Sequence, residues 1–221
     1  MNEIDDAIWD AYNLLLLGPD IERLRKLLVR YDLFRISLDV PGDIVECGVF
    51  KGTGLMLWLK LLHIYCPGSI KQVIGFDVFT SYAKTSESFE AEQVEEFIRE
   101  SRFQGVTIDE LYEKVDAMRL DRNKCELIAG DIRKTAPKYL ATRPGFRISL
   151  LNLDLDLEEA TSAALEAFWP RVVRGGVVIF DEYSVSRWTE SNAVDRFFAG
   201  KSVELKTLGW ARTPTSYVVK E

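Results

Sequence analysis

The stretch Asp43-Ile44-Val45-Glu46-Cys47-Gly48-Val49-Phe50-Lys51-Gly52-Thr53-Gly54-Leu55-Met56-Leu57 decides how the rest of this 221-residue chain is read. It opens apolar and β-branched at Ile44 and Val45, passes an acid at Glu46, and then places glycines at 48, 52 and 54. An apolar helical pattern follows at once, so the order is strand, tight glycine turn, helix N-terminus. Glycine has no Cβ, and such a turn lets backbone N–H groups approach a ligand closely. The spacing Glu46-x-Gly48-x-x-x-Gly52-x-Gly54 lacks the G-x-G-x-x-G of dinucleotide-binding turns, which argues against a nicotinamide or flavin cofactor. Taken singly, the pattern also fits a helix-opening turn that binds nothing.

Upstream, residues 3–17 set Ile4, Ala7, Ile8, Ala11, Tyr12 and Leu15 on one helical face, and Gly18-Pro19 ends that helix. A second helix sets Ile21, Leu24, Leu27, Leu28 and Tyr31 on one stripe. Residues 1–40 therefore read as a helical cover for the site, an oligomer contact or plain core helices. Downstream, a buried apolar helix over about 54–65 leads to a second strand, 72–79, containing Val73-Ile74-Gly75-Phe76-Asp77. An acid ending the second strand of such a unit takes ribose hydroxyls, and Asp77 is the candidate, with a turn-forming role as the alternative.

Residues 80–124 break the rhythm. Ser86 to Arg102 is charged and amphipathic with Phe89, Val94, Phe97 and Ile98 as its apolar set, and Thr107-x-x-Glu110 is a capping-box pattern. A helical insert covering a substrate, or surface decoration, fits equally. A third strand over 125–132 ends in Ala129-Gly130-Asp131, a fourth covers 148–153, and a helix covers 158–169. Pro170, Gly175 and Gly176 lead into a fifth buried strand at 177–180, a helix covers 191–199, and two closing strands at about 203–208 and 215–220 form a hairpin. Alternating β and α elements predict one α/β domain over 1–221, with a seven-stranded, mostly parallel sheet carrying helices on both faces.

Bulk properties narrow the function classes. The net charge of −7 disfavours a polyanion-binding surface, so nucleic acid is not an expected partner. The three cysteines, Cys47, Cys66 and Cys125, are far apart and read as small buried apolar residues in a reducing compartment. The start, Met1 to Asp6, is acidic rather than basic, and no apolar run approaches the ~18 residues of a membrane span. A soluble, cytoplasmic protein without membrane partners is expected. His63, the only histidine, falls on the apolar first helix and reads as a packed core residue, not a base.

Two acidic clusters follow apolar strands directly: Asn152-Leu153-Asp154-Leu155-Asp156 and Phe180-Asp181-Glu182-Tyr183. Both lie at the C-terminal edge of the sheet, where ligands bind in open α/β folds. Four converging carboxylates repel one another unless protonated or bound to a cation. With oxygen donors and no histidine nearby, that cation would be hard, magnesium first, with manganese or calcium as alternatives. Helix caps and turns are the structural alternative, and Asp156 before Glu158 looks like an N-cap.

An acid followed by G-x-x-x-G at the end of the first strand resembles motif I of the class I S-adenosylmethionine (SAM) methyltransferases. By that resemblance Gly48 and Gly52 admit the methionine half of SAM, Glu46 stands near its ammonium, and Asp131 lies near the adenine. The run Val45-Glu46-Cys47-Gly48-Val49-Phe50-x-Gly52, then Gly75-Phe76-Asp77-x-Phe79, Asp154-x-Asp156-Leu157, Thr161, Trp169-Pro170, Gly175-Gly176 and Asp181-Glu182-Tyr183 resembles the macrocin O-methyltransferase family over roughly residues 40–200. The resemblance implies a Rossmann-like, SAM- and magnesium-dependent enzyme that methylates a hydroxyl on a sugar or glycosylated natural product. It implies magnesium on Asp154, Asp181 and Glu182, with Asp156 as general base. The family has Asp-Asp-Tyr where this chain has Asp181-Glu182-Tyr183, and tyrosine at the position of Glu158. The remaining alternatives are a metal-independent N- or C-methyltransferase and a silent SAM-binding subunit. A homo-oligomer is possible for any of them.

Overall fold

The structure, a computed structural model, describes residues 3–82, 85 and 87–221, with side chains from residue 6 onward. Ser86, where the sequence starts the amphipathic insert, lies outside the described residues, as does the side chain of Ile4. The chain opens with α1 (Glu3–Leu17) and α2 (Glu22–Ser37), then β1 (Asp43–Cys47), α3 (Thr53–Tyr65) and β2 (Val73–Asp77). The insert supplies α4 (Ser88–Ser101) and α5 (Ile108–Ala117). The alternation resumes with β3 (Cys125–Ala129), α6 (Ile132–Ala141), β4 (Ile148–Leu153), α7 (Glu158–Phe168), β5 (Val172–Phe180), α8 (Glu190–Phe198) and β6 (Ser216–Val219).

The strands form one sheet in the order β3-β2-β1-β4-β5-β6, parallel from β3 through β5 and antiparallel at β6. Successive strand residues point to opposite faces, which divides the core into two layers. On one side Val45, Phe76, Leu151 and Leu153 pack with Ala136 of α6, Leu165 of α7 and Val194 of α8. On the other, Ile44, Leu150, Val177 and Ile179 pack with Leu33 of α2, Trp58 of α3 and Leu111 of α5. β4 is buried along its whole length, which is why Ile148–Leu153 is mostly apolar without alternation, its two polar residues Ser149 and Asn152 being buried and hydrogen-bonded. Among the described residues no helix is long and apolar enough to cross a membrane.

The sheet has six strands where seven are expected. Lys206 and Tyr217 exchange two backbone hydrogen bonds of 2.8 Å, but this is an isolated bridge and not a strand. One step further along, the Thr207 hydroxyl donates to the Thr215 carbonyl in place of a backbone N–H, so the ladder stops. Val203 and Leu205 still pack against the core while Glu204 and Lys206 face solvent, so the alternation in the sequence is real without a continued pairing.

Three further expectations are corrected. The stripe Ile21, Leu24, Leu27, Leu28, Tyr31 is not the buried face of α2; that face is Val29, Arg30, Leu33, Phe34 and Ser37. The face expected on α1 stays in solvent, with Ile8 61% and Tyr12 53% exposed. His63 is exposed on α3 rather than packed, because the buried side of that helix is Leu55, Trp58, Leu59 and Leu62. The capping box at Thr107 and Glu110 forms as expected, with each side chain accepting the other residue's backbone N–H.

Candidate active site

The C-terminal edge of the sheet is knitted by backbone bonds that run one residue beyond the strands. Gly130 N donates to Asp77 O, Gly48 N to Phe76 O, Asp154 N to Cys47 O and Asp181 N to Leu153 O, at 2.8–3.0 Å. This places the glycine turn and both acidic clusters in one row. The chain reverses direction in strand order between β1 and β4, and a crevice opens at such a switch point. Here it is a cavity of about 710 Å³. Glu46, Gly48, Asp77, Asp154, Asp156 and Glu182 all line it. The insert contributes Tyr82, Phe97 and Phe103, and α2 contributes Arg23, Lys26 and Arg30.

On the β1–β2 side the backbone does the holding. Gly48 has φ +91° and its absent Cβ would stand 1.8 Å from the Asp154 carbonyl oxygen, so only glycine fits there. Asp77 accepts backbone N–H bonds from Val49 at 2.7 Å, Phe50 at 2.8 Å and Phe79 at 2.8 Å. Its carboxylate therefore shapes the glycine turn as well as facing the cavity. Burial pushes the Asp77 pKa up, against the pull of those N–H bonds. Glu46 is fully buried and its pKa rises to about 8, driven by burial and opposed by Arg30. Its Oε2 has no hydrogen-bond partner, so a cationic donor entering the cavity would satisfy it. A SAM-sized ligand with its ammonium on Glu46 thus fits the residues present.

On the β4–β5 side, side chains do the holding. Asp181 is fully buried and its Oδ2 accepts from Lys26 Nζ at 2.7 Å. Arg30 Nη2 lies 3.1 Å from Asp154 Oδ2 and 3.5 Å from Asp181 Oδ1. Burial lowers the Lys26 pKa, but Asp154 and Asp181 more than offset it, and the net shift is upward. Burial and the neighbouring Asp181 push the Glu182 pKa up to about 9. Asp156 is also buried, and burial together with Asp154 raises it to about 7. The Tyr82 hydroxyl donates to Asp156 Oδ2, and Thr189 N donates to the Asp156 carbonyl. Asp156 takes φ +63°, a conformation that aspartate tolerates better than most side chains and that concentrates at functional sites.

Asp156 is not the helix cap its position suggests. The residue before α7 is Leu157, and the Glu158 N–H is met instead by Glu90 Oε1 and the Thr189 hydroxyl. Three candidates do not reach the cavity wall. Gly52, at φ +88°, begins α3 against Leu111. Asp131 caps α6 through Arg133 N at 3.0 Å and pairs with the Arg133 side chain, leaving Gly130 and Ile132 to face the cavity. Asp181 sits beneath Lys26. Sequence reasoning missed Lys26, Arg30 and Tyr82. Arg23, Lys26 and Arg30 do follow a three-then-four spacing on one side of α2, a signal that was legible.

Among the described residues, no group of three or more His, Cys, Asp or Glu side chains is arranged to hold a metal ion. With Asp154 and Asp181 each paired to a cationic side chain of α2, this donor set does not fit a divalent ion as it stands.

A family model described as macrocin-O-methyltransferase (TylF) matches residues 21–208. An 8-demethyl-8-(2,3-dimethoxy-alpha-L-rhamnosyl)-tetracenomycin-C 4'-O-methyltransferase from Streptomyces olivaceus is 29% identical, over 66% of this chain and 54% of that protein. The chain thus spans about half the length of that relative. A demethyldecarbamoylnovobiocin O-methyltransferase from Streptomyces niveus is 27% identical, over 80% of this chain and 69% of its own length. The solved structure of CalS11, a calicheamicin methyltransferase, superposes with a TM-score of 0.80 at 31% identity, covering 94% of this chain and 83% of that one. By matched span, sheet order and the placement of its glycine turn, the chain belongs to the macrocin-O-methyltransferase (TylF) family and has the class I methyltransferase fold.

Proposed function

We propose that this chain is a SAM-dependent O-methyltransferase acting on a hydroxyl of a sugar or a glycosylated small molecule. The observation that carries the reading is a single cavity with two kinds of wall. One wall is the glycine turn with Glu46 and Asp77; the other holds Asp156, a buried carboxyl tuned to about pH 7. A general base works best with a pKa near the operating pH. Glu46 would take the ammonium of SAM, Gly48 would admit its methionine half, and Asp77 would face the ribose. Gly130 and Ile132, which line the cavity on either side of Asp131 at the start of α6, would stand beside the adenine.

Bound SAM supplies an electrophilic methyl group on a sulfonium. Asp156 takes the proton from the acceptor hydroxyl as its oxygen forms the bond to the methyl carbon. The methyl group would come from bound SAM, whose sulfur would keep the carbon–sulfur pair and leave as a neutral thioether, with an ether as the product. Tyr82 occupies Asp156 Oδ2, which leaves Oδ1 as the oxygen that accepts the proton. Phe97, Phe103 and Trp188 give the acceptor side apolar walls that exclude water and hold a ring in line with the methyl group.

The relatives act on rhamnosyl and novobiocin-type acceptors by their names, and the acceptor class proposed here follows theirs. The test is methyl transfer to TDP-rhamnose, the acceptor named for CalS11, and to glycosylated aromatic compounds, with wild type and Asp156→Asn. We expect kcat to fall by about 10²–10⁴-fold in the variant. Calorimetric affinity for S-adenosylhomocysteine should stay within about twofold, since Asp156 belongs to the acceptor wall. An Asp156→Asn variant with unaltered kcat would remove the base assignment.

The magnesium that the resemblance implies would need Asp154, Asp181 and Glu182 together. No step above is routed through it, because Asp154 and Asp181 are paired with Lys26 and Arg30.

A further inference from the structure

The acidic cluster is already furnished with positive charge, and that charge comes from α2. Lys26 Nζ stands 2.7 Å from Asp181 Oδ2 and 3.8 Å from Asp154 Oδ2, on two of the three carboxyls that the resemblance gives to magnesium. Arg30 lies behind it on the same two aspartates. Each of the two aspartates is thus already paired with cationic side chains. A divalent ion drawn to the same oxygens would meet the Lys26 and Arg30 charges already there. It would also have to displace the ammonium to reach the short oxygen distances such ions need, roughly 2.0–2.6 Å. The Lys26 side chain is 23% exposed while that of Asp181 is 0% exposed, so the cavity meets the ammonium and not the aspartate beneath it.

We propose that Lys26 takes the place of the divalent cation: its ammonium, seated on Asp154 and Asp181, is the positive charge that meets the acceptor oxygen. The inference rests on the O-methyltransferase reading and changes what that site is made of. Chemically the demands are the same. The acceptor oxygen gains negative charge as Asp156 takes its proton, and a fixed cation beside it stabilises that charge. Lysine offers a compact point charge with three N–H donors; one goes to Asp181 at 2.7 Å, Asp154 lies within ion-pair reach at 3.8 Å, and a donor is left for the acceptor. Lys26 keeps all its protons throughout. The proton goes to Asp156, the methyl group to the acceptor oxygen and the electron pair to sulfur. Arg30 is a positioning residue, since it touches the aspartates and Glu46's surroundings rather than the acceptor.

The experiment is a Mn²⁺ titration of the full chain bound to S-adenosylhomocysteine, followed by electron paramagnetic resonance, with no acceptor needed. Wild type and Lys26→Arg should bind no Mn²⁺ at the cluster at submillimolar concentrations. Lys26→Gln should gain one site, at least tenfold tighter than any in wild type, and lose it again when Asp181→Asn is added. Asp154→Asn serves the same purpose if Asp181→Asn does not fold. A stoichiometric Mn²⁺ in wild type that either aspartate variant releases overturns the proposal. So does a Lys26→Gln variant that gains no site, because the ammonium would then not be what fills it. Calorimetry of S-adenosylhomocysteine on the same samples separates the two failures. Absent cofactor binding in wild type overturns the methyltransferase reading, whereas normal binding with a wild-type Mn²⁺ site overturns only the lysine assignment.

Discussion

Asp77 and Asp181 each follow an apolar strand at the same edge of one sheet, yet they are held in opposite ways. Asp77 is met by three backbone N–H groups, two from the glycine turn after β1 and one from its own loop. Asp181 is met by side chains carried on α2, with Lys26 155 positions away in the chain. The β1–β2 half is therefore organised by local backbone geometry, and the β4–β5 half by long-range charge. Backbone donors sit on covalently fixed positions and cost little to order. Long cationic side chains lose rotamer freedom and must leave water, so their pairing is worth having only where both partners are buried.

This contrast can be broken most severely at Arg30. Its side chain is 6% exposed, stands on Asp154 and Asp181, and opposes the raised pKa of Glu46. Arg30→Met keeps volume but strands these carboxyls, and breaking a buried pair of this kind typically costs about 3–5 kcal/mol. Urea denaturation should show the loss, and a variant within about 1 kcal/mol of wild type would mean the charges are solvated in solution.

A smaller effect is expected on the backbone-held side. Asp77→Asn offers one acceptor oxygen where two serve three N–H groups, and each buried donor left unmet costs about 1–3 kcal/mol. If the turn is organised by this carboxylate, S-adenosylhomocysteine affinity should drop about 10-fold or more by calorimetry, since 1.4 kcal/mol is tenfold. Unchanged affinity would reduce Asp77 to a turn former.

The mildest change, and one of opposite sign, is Glu46→Gln. A carboxyl whose folded pKa is raised to about 8 stabilises the fold while protonated, and that contribution is lost as pH rises from its unfolded value near 4.5 toward 8. Wild type should therefore lose Tm between pH 5 and 8 through this group, and Glu46→Gln should flatten that slope while weakening cofactor binding. A variant with the wild-type slope would show that Glu46 ionises freely.

How much of this was legible beforehand follows the same division. The turn at Gly48 could be read because the chain itself demands it: strand residues, then positive φ, then a helix, all within fifteen positions. The alternation of strands and helices gave the parallel sheet, and Asp154 and Asp156 were found because an acid directly after a buried strand has nowhere to point but the edge. The final hairpin was overread, since alternation at Val203 and Leu205 reports which side faces the core and says nothing about whether Tyr217 has neighbours to pair with. The face of α2 was misread for a related reason. Its apolar residues suggest one stripe, yet Arg30 is turned inward beside Val29 and Leu33 by acids that reach the same place from more than a hundred residues later.

By itself, then, the sequence determined the strand–glycine–helix unit, the order of α and β elements, and the presence of carboxyls at the sheet edge, because each depends on hydrogen bonding and sterics between near neighbours. Only the tertiary structure decided what balances those carboxyls. A buried charge is settled by whichever opposite charge the fold brings within a few ångströms, and Lys26 and Arg30 come to Asp181 and Asp154 across 155 and 124 positions of chain.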